Sequence, residues 1–92
     1  MRLLLTERFQ EDLGTLRTEE RSEAWKVILA LPAAFREPAR HTGLGLRKLH
    51  THGIWEARVG LRLRLVFGLE KDYLIFRRVA KHDEVRRYLR GI

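Results

Sequence analysis

From Ile54 to Phe67 the chain reads IWEARVGLRLRLVF, and residues of opposite character alternate one by one. That is the period-2 signature of strands with one face in a core and the other in water. Leu61, Leu63, Leu65, Phe67 and Leu69 fall on one face, Arg62 and Arg64 on the other. Upstream, Trp55, Ala57 and Val59 alternate with Ile54, Glu56 and Arg58, and Gly60 stands where a turn residue is expected. The pattern predicts a hairpin bent near Gly60. Its polar side gathers Glu56, Arg58, Arg62 and Arg64, because residues two apart on a strand share a face and paired strands bring opposite residues within about 5 Å.

The remaining elements follow from the same reading. Met1 to Leu5 is a short apolar run, which predicts a first strand inside a sheet rather than at a wet edge. Thr6 offers a helix N-cap, and Phe9, Leu13 and Leu16 then recur on one side of a helix. Thr18 offers a second N-cap before Trp25, Ile28 and Leu31, with Ala24, Val27 and Leu29 widening the stripe and Pro32 expected to stop it. Two helices this close in sequence form a helical hairpin that covers one sheet face. Pro32 to Leu46 has no clean period and reads as mostly irregular, with room for one extra helical turn over Ala33 to Glu37. Tyr73 to Val79 is apolar on both faces and predicts a central strand; Lys81 to Arg90 carries Val85, Tyr88 and Leu89 at helical spacing. Trp25 and Trp55 read as core anchors, Trp55 with the further option of stacking on a base beside the basic side. The order is strand, helix, helix, three antiparallel strands, short helix, an α+β arrangement.

Charge sharpens this picture by its placement. Residues 1 to 46 hold 7 Lys+Arg against 7 Asp+Glu, whereas residues 47 to 92 hold 12 against 5, so the net charge of +7 lies wholly in the second half. A concentrated cationic field points to an anionic partner such as nucleic acid, an acidic protein segment or a membrane surface. The chain has no Cys, which excludes disulfides and thiolate metal sites. No stretch approaches the ~20 apolar residues of a membrane span, and the expected location is cytoplasmic.

The residues with chemistry to offer are Arg47, Lys48, His50, His52, Arg58, Arg62, Arg64, Lys81, His82 and Tyr88. Arginine presents a planar fork that matches a phosphate bidentately, and histidine gains or loses a proton near neutral pH. Those are the parts for cleaving RNA without a metal: a base for the 2′-hydroxyl proton, cations for the crowded phosphorane, and an acid for the leaving 5′-oxygen. Each also has a bland alternative, with Arg62 on a solvated face, His82 simply opening the last helix and Tyr88 in the core. His50 and His52 resemble half a metal site, but with only His41 and His82 as further histidines no metal and no cofactor is assigned. Glu56 reads as an ion-pair partner of Arg58 or Arg62 rather than as a catalyst. No phosphate-loop glycine pattern, nucleophile elbow or zinc spacing occurs, which counts against nucleotide hydrolases, esterases and zinc enzymes.

The order RKLHTHGIWEARV, then RLVFGLEKDYLIFRRVAKHDEVRRYL, resembles the RelE/ParE superfamily of small toxins from prokaryotic type II toxin–antitoxin systems over nearly the whole chain. The match covers Lys48-Leu49, Trp55 to Arg58, Arg64 to Phe67 and Val79 to Tyr88. The resemblance implies one toxin domain over residues 1–92, built as a helical hairpin on a twisted, mostly antiparallel four-stranded sheet with a short C-terminal helix. It also implies a metal-independent endonuclease that cuts messenger RNA on the ribosome by 2′-hydroxyl attack. On that resemblance Arg64 stabilises the transition state, Arg58 contacts or activates the RNA, His82 is the general acid, and Lys48, His50 and His52 supply a basic loop. Arg47, Arg62, Lys81 and Tyr88 would then bind RNA. The implied partners are a cognate antitoxin, the ribosome and messenger RNA. Two features depart from the family pattern: Glu56 stands where some ribonuclease members carry Lys, and the basic loop lacks the Glu that others use as a base. Because the superfamily also holds non-enzymatic toxins that inhibit DNA gyrase and inactive domains that bind RNA or an antitoxin, those remain the alternative readings.

Overall fold

The structure is a computed structural model of the chain and describes residues 1–37, 42–49 and 53–92. Strand β1 (Arg2–Leu5) leads into helices α1 (Glu7–Thr15) and α2 (Thr18–Arg36). A 3-10 turn at Thr42–Leu44 precedes the short strand β2 (Arg47–Lys48), then β3 (Ile54–Val59), β4 (Leu63–Glu70), β5 (Tyr73–Lys81) and helix α3 (His82–Arg90). The strands form one five-stranded sheet in the order β1-β5-β4-β3-β2, antiparallel except where β1 pairs with β5. The fold is the expected α+β one, with a fifth strand because Arg47 and Lys48 pair with Glu56 and Trp55.

The two sheet faces are covered differently. On one face α1 and α2 bury Phe9, Leu13, Ala24, Val27, Ile28 and Leu31 against Ala57, Val59, Leu65, Phe67, Leu74, Phe76 and Val79. On the other, Val85 of α3 joins Ile54, Val66 and Ala80 in a smaller cluster, with Leu49, Tyr88 and Leu89 packed around it. Helix α3 starts at the sheet end that carries Arg58 and Arg64 and packs its later residues on Ile54 and Val66, so that end stays open beside its first residue.

Several local expectations are corrected. β1 is an edge strand, with Arg2 and Leu4 exposed, because β5 accepts it on one side and nothing among the described residues covers the other. Pro32 does not stop α2, which runs on to Arg36. A proline costs an internal turn about 3 kcal/mol or more; here Leu31 and Ala34 are fully buried on either side of it, and Phe35 meets Trp55 and Phe67 edge-on at ring separations of 5.0 and 6.0 Å. The α2 cap is Arg17 rather than Thr18: the Arg17 N–H donates to Glu20 Oε1 at 3.2 Å, so the carboxylate three residues on does the capping. Trp25 is 39% exposed and Leu29 65%, because the buried stripe of α2 runs through Ala24, Val27, Ile28, Leu31 and Ala34. At the hairpin tip, residues 60–62 form the turn, so Leu61 is 97% exposed instead of facing the core. Thr6 does cap α1, its hydroxyl oxygen accepting from the Phe9 N–H at 3.2 Å.

Candidate functional site

The register of the sheet lays out the open end. Val59 pairs with Leu63 and Arg58 with Arg64, and Arg64 pairs in turn with Ala80. Paired residues share a face, so one row reads Arg58, Arg64, Ala80. The next row on the same face reads Arg47, Glu56, Val66, Arg78. The chain turns into α3 just after Ala80, which brings His82, the first helical residue, over the Arg64 end of the upper row.

These elements enclose a small polar cleft of about 140 Å³ lined by Gly45, Arg47, Glu56, Arg58, Arg64 and His82. Glu56 is its buried member, with a side chain only 7% exposed. Arg47 Nη2 donates to Glu56 Oε2 at 3.0 Å, and Arg64 Nε lies 3.5 Å from Glu56 Oε1. Arg64 Nη1 also donates to the carbonyl of Leu63 at 3.1 Å. Arg58 has no ion-pair partner among the described residues, and Gly45 lies against its side chain with φ +61. A Cβ at Gly45 would come within 3.2 Å of Arg58 Nε, so the residue needs both the left-handed backbone and the missing side chain.

Arg58, Arg64, His82 and Arg47 therefore share one cleft, and other expected residues are elsewhere. Lys48 stands opposite Trp55, on the other face of the sheet. Arg62 lies in the hairpin turn, its Nη1 3.8 Å from Glu20 Oε2 of α2, because the turn takes up the residue that the alternation placed beside Arg64. Lys81 precedes α3 and lines a separate groove with Arg62, Asp12, Glu20 and Glu84. Tyr88 packs on the smaller core cluster, its ring 5.6 Å from the guanidinium of Arg78. His50 and His52 lie outside the described residues, as does His41. Glu56 pairs with Arg47 and Arg64, not with Arg58 or Arg62 as expected, since its neighbours in the lower row and on β4 are nearer than the hairpin tip.

A buried clamp beneath the site is not foreseen by the sequence pattern. Arg78 Nε donates to Asp12 Oδ2 at 2.6 Å, Arg78 Nη2 to Asp12 Oδ1 at 3.3 Å, and the Val79 N–H to Asp12 Oδ2 at 3.1 Å. β1 ends at Leu5 opposite Phe76, so this carboxylate takes over the free edge of β5 where the parallel partner stops. A register shift beside Val66 and Phe67 leaves Arg77 unmatched and turns Arg78 toward α1 and α3. An acidic residue beside the apolar stripe of α1 is the visible sign.

Chemically, the cleft offers three guanidinium groups, one carboxylate that neutralises part of their charge, and one imidazole at its rim. Fixed planar cations facing an open pocket suit a phosphate, and an imidazole beside them suits proton transfer. No group of three or more His, Asp or Glu that could hold a metal occurs among the described residues. No helix among them is long and apolar enough to cross a membrane.

No protein-family profile matches the chain, and no curated protein matches it. Solved structures do. A copper-bound single-substitution variant of a toxin from Helicobacter pylori superposes with a TM-score of 0.70 at 25% identity, over 92% of this chain and 98% of that one. The chain is a RelE/ParE-fold protein. The same fold is shared with the RelB-RelE antitoxin-toxin complex from Methanococcus jannaschii, at TM-score 0.67 and 22% identity over 92% of this chain and 96% of that one. YafQ from E. coli matches at TM-score 0.64 and 16% identity, over 92% and 98% respectively. Within the RelE/ParE fold, the open sheet end beside the last helix is where this chain gathers Arg47, Arg58, Arg64 and His82.

Proposed function

We propose that the protein is the toxin of a toxin–antitoxin pair, acting in the cytoplasm as a metal-independent endonuclease on ribosome-bound messenger RNA. The observation that carries this reading is the convergence of Arg58, Arg64 and His82 on one polar cleft. The toxins and toxin–antitoxin complexes that share the fold support the toxin role and the antitoxin partner. A segment that neutralises the cleft would complement its charge.

In the proposed reaction a base removes the proton of the RNA 2′-hydroxyl and the freed oxygen attacks the adjacent phosphorus. The bond from phosphorus to the 5′-oxygen breaks, leaving a 2′,3′-cyclic phosphate and a 5′-hydroxyl. Arg64 stabilises the charge that grows on the phosphorane, Arg58 binds the incoming phosphate, and His82 gives its proton to the departing 5′-oxygen. The base is assigned to His50 or His52, which precede β3 in sequence; Lys48, turned to the other face, is left with a binding role outside the cleft.

The test is incubation of purified protein with messenger-programmed ribosomes, mapping RNA ends and their chemistry. Cuts in the decoding site with cyclic phosphate ends are expected, falling about 10²-fold or more in Arg64→Ala and strongly in His82→Ala. Growth arrest with intact messenger would instead direct attention to DNA gyrase, and no toxicity at all would mean a domain that binds RNA or an antitoxin without chemistry.

A further inference from the structure

The cleft contains one residue that the proposed reaction does not use. Glu56 is acidic in a site built to receive an anion, and its carboxylate is the most buried polar group there. Both of its oxygens are committed, Oε1 to Arg64 Nε at 3.5 Å and Oε2 to Arg47 Nη2 at 3.0 Å. With one oxygen taken up by each guanidinium group, neither is turned to meet a 2′-hydroxyl. A general-base role is therefore the wrong reading of its place.

Its geometry points to a different task. Arg64 is gripped on two sides, at Nε by Glu56 and at Nη1 by the Leu63 carbonyl, which leaves Nη2 without a partner among the described residues. Among the described residues Arg47 is likewise anchored through Nη2 alone. Glu56 sits on β3 between β2 and β4, so one carboxylate fixes the guanidinium groups of both neighbouring strands. It also sets the charge. Its negative charge offsets one of the three guanidinium charges, so the cleft holds an anion less tightly than the arginines alone would.

We propose that Glu56 is the positioning residue of this cleft: it orients Arg64 toward the scissile phosphate and limits how tightly the cleft holds anionic RNA. The inference rests on the endonuclease reading for its catalytic half. Its binding half stands without that reading, because removing a negative charge from a cationic cleft strengthens anion binding whatever follows.

The two halves predict opposite changes in one variant. Glu56→Gln keeps the shape of the side chain and removes its charge. With messenger-programmed ribosomes its kcat falls about tenfold to a hundredfold, the scale of a misplaced catalytic group, while KM falls or holds. A labelled single-stranded RNA oligonucleotide binds it more tightly than the wild type. Glu56→Asp, which keeps the charge on a shorter arm, recovers part of kcat and returns oligonucleotide affinity toward the wild type. The exchange of the Arg64 Nε–H with water, followed by NMR, is slow in the wild type and faster in Glu56→Gln. A merely structural residue would lower turnover and affinity together, and that result would overturn the proposal, as would unchanged kcat in an active enzyme. If the wild type cleaves no RNA, the endonuclease reading fails by itself; tighter oligonucleotide binding and faster Arg64 exchange would then support Glu56 as the organiser of the cleft, and their absence would overturn it.

Discussion

Arg58 and Arg64 stand directly opposite each other on adjacent antiparallel strands. Like charges so placed repel, at a cost of roughly 0.2–1 kcal/mol, and only Arg64 has a carboxylate beside it. Replacing Arg58 by Gln should therefore leave the free protein as stable as before or slightly more so, while weakening its hold on RNA. Thermal unfolding with and without an RNA oligonucleotide checks this: RNA should raise the midpoint of the wild type more than that of Arg58→Gln.

The buried pair of Asp12 and Arg78 makes the opposite prediction. Both side chains are about a tenth exposed, and the carboxylate also accepts the Val79 N–H. Asp12→Ala leaves the Arg78 guanidinium with only the half-exposed Glu84 at 4.0 Å as carboxylate partner among the described residues and takes the acceptor from the Val79 N–H, which costs on the order of 3 kcal/mol. Urea unfolding would read this as a lower midpoint. A change of less than about 1 kcal/mol would mean that the clamp behaves as a surface pair.

Gly45 couples loop shape to the cleft. Its φ of +61, and the 3.2 Å at which a Cβ there would meet Arg58 Nε, mean that Gly45→Ala must both strain the backbone and displace the arginine. The strain is worth about 1–2 kcal/mol. If the protein is the proposed endonuclease, cleavage should fall further than that loss of stability explains, and kinetics measured well below the unfolding midpoint would separate the two.

Glu20 supplies a pH dependence. The Arg17 backbone N–H holds its carboxyl below the ordinary carboxylate range, against the opposing effect of desolvation, with further help from the Arg17 side chain and from Arg62. A carboxyl whose pKa is lowered by folding adds stability that is full above its unfolded value and is lost as pH falls through the folded value. The wild type should thus exceed Glu20→Gln in thermal midpoint near neutral pH, with the gap closing in acid. A gap that persisted in acid would refute the assignment.

The hairpin and the two-helix layer were legible because their signals are local. Alternation placed Arg58 and Arg64 on one face, and the dipole-matched charges of residues 81 to 90 marked the last helix. What could not be read depends on contacts distant in sequence. The two-residue strand at Arg47 has no period of its own, so the partner of Glu56 stayed hidden. Pro32 looked like a stop because its local cost is plain and the compensating contacts of Phe35 with Trp55 and Phe67 are not. Asp12 looked like one more polar helix residue, although its partners lie 66 and 67 positions away. Arg62 was drawn to the wrong place by an alternation that ran straight through a turn.

The parallel pairing of β1 with β5 also bears on the order in which the molecule can come into being. The first strand of the chain pairs with the last one, and Asp12 waits for Arg78 and Val79. During synthesis the N-terminal half emerges without the strand it must join, and loop closure over that span slows folding. His82 is made after every arginine of the cleft. Until residue 82 has emerged and folded, the chain therefore has neither a closed sheet nor the imidazole that lines the cleft.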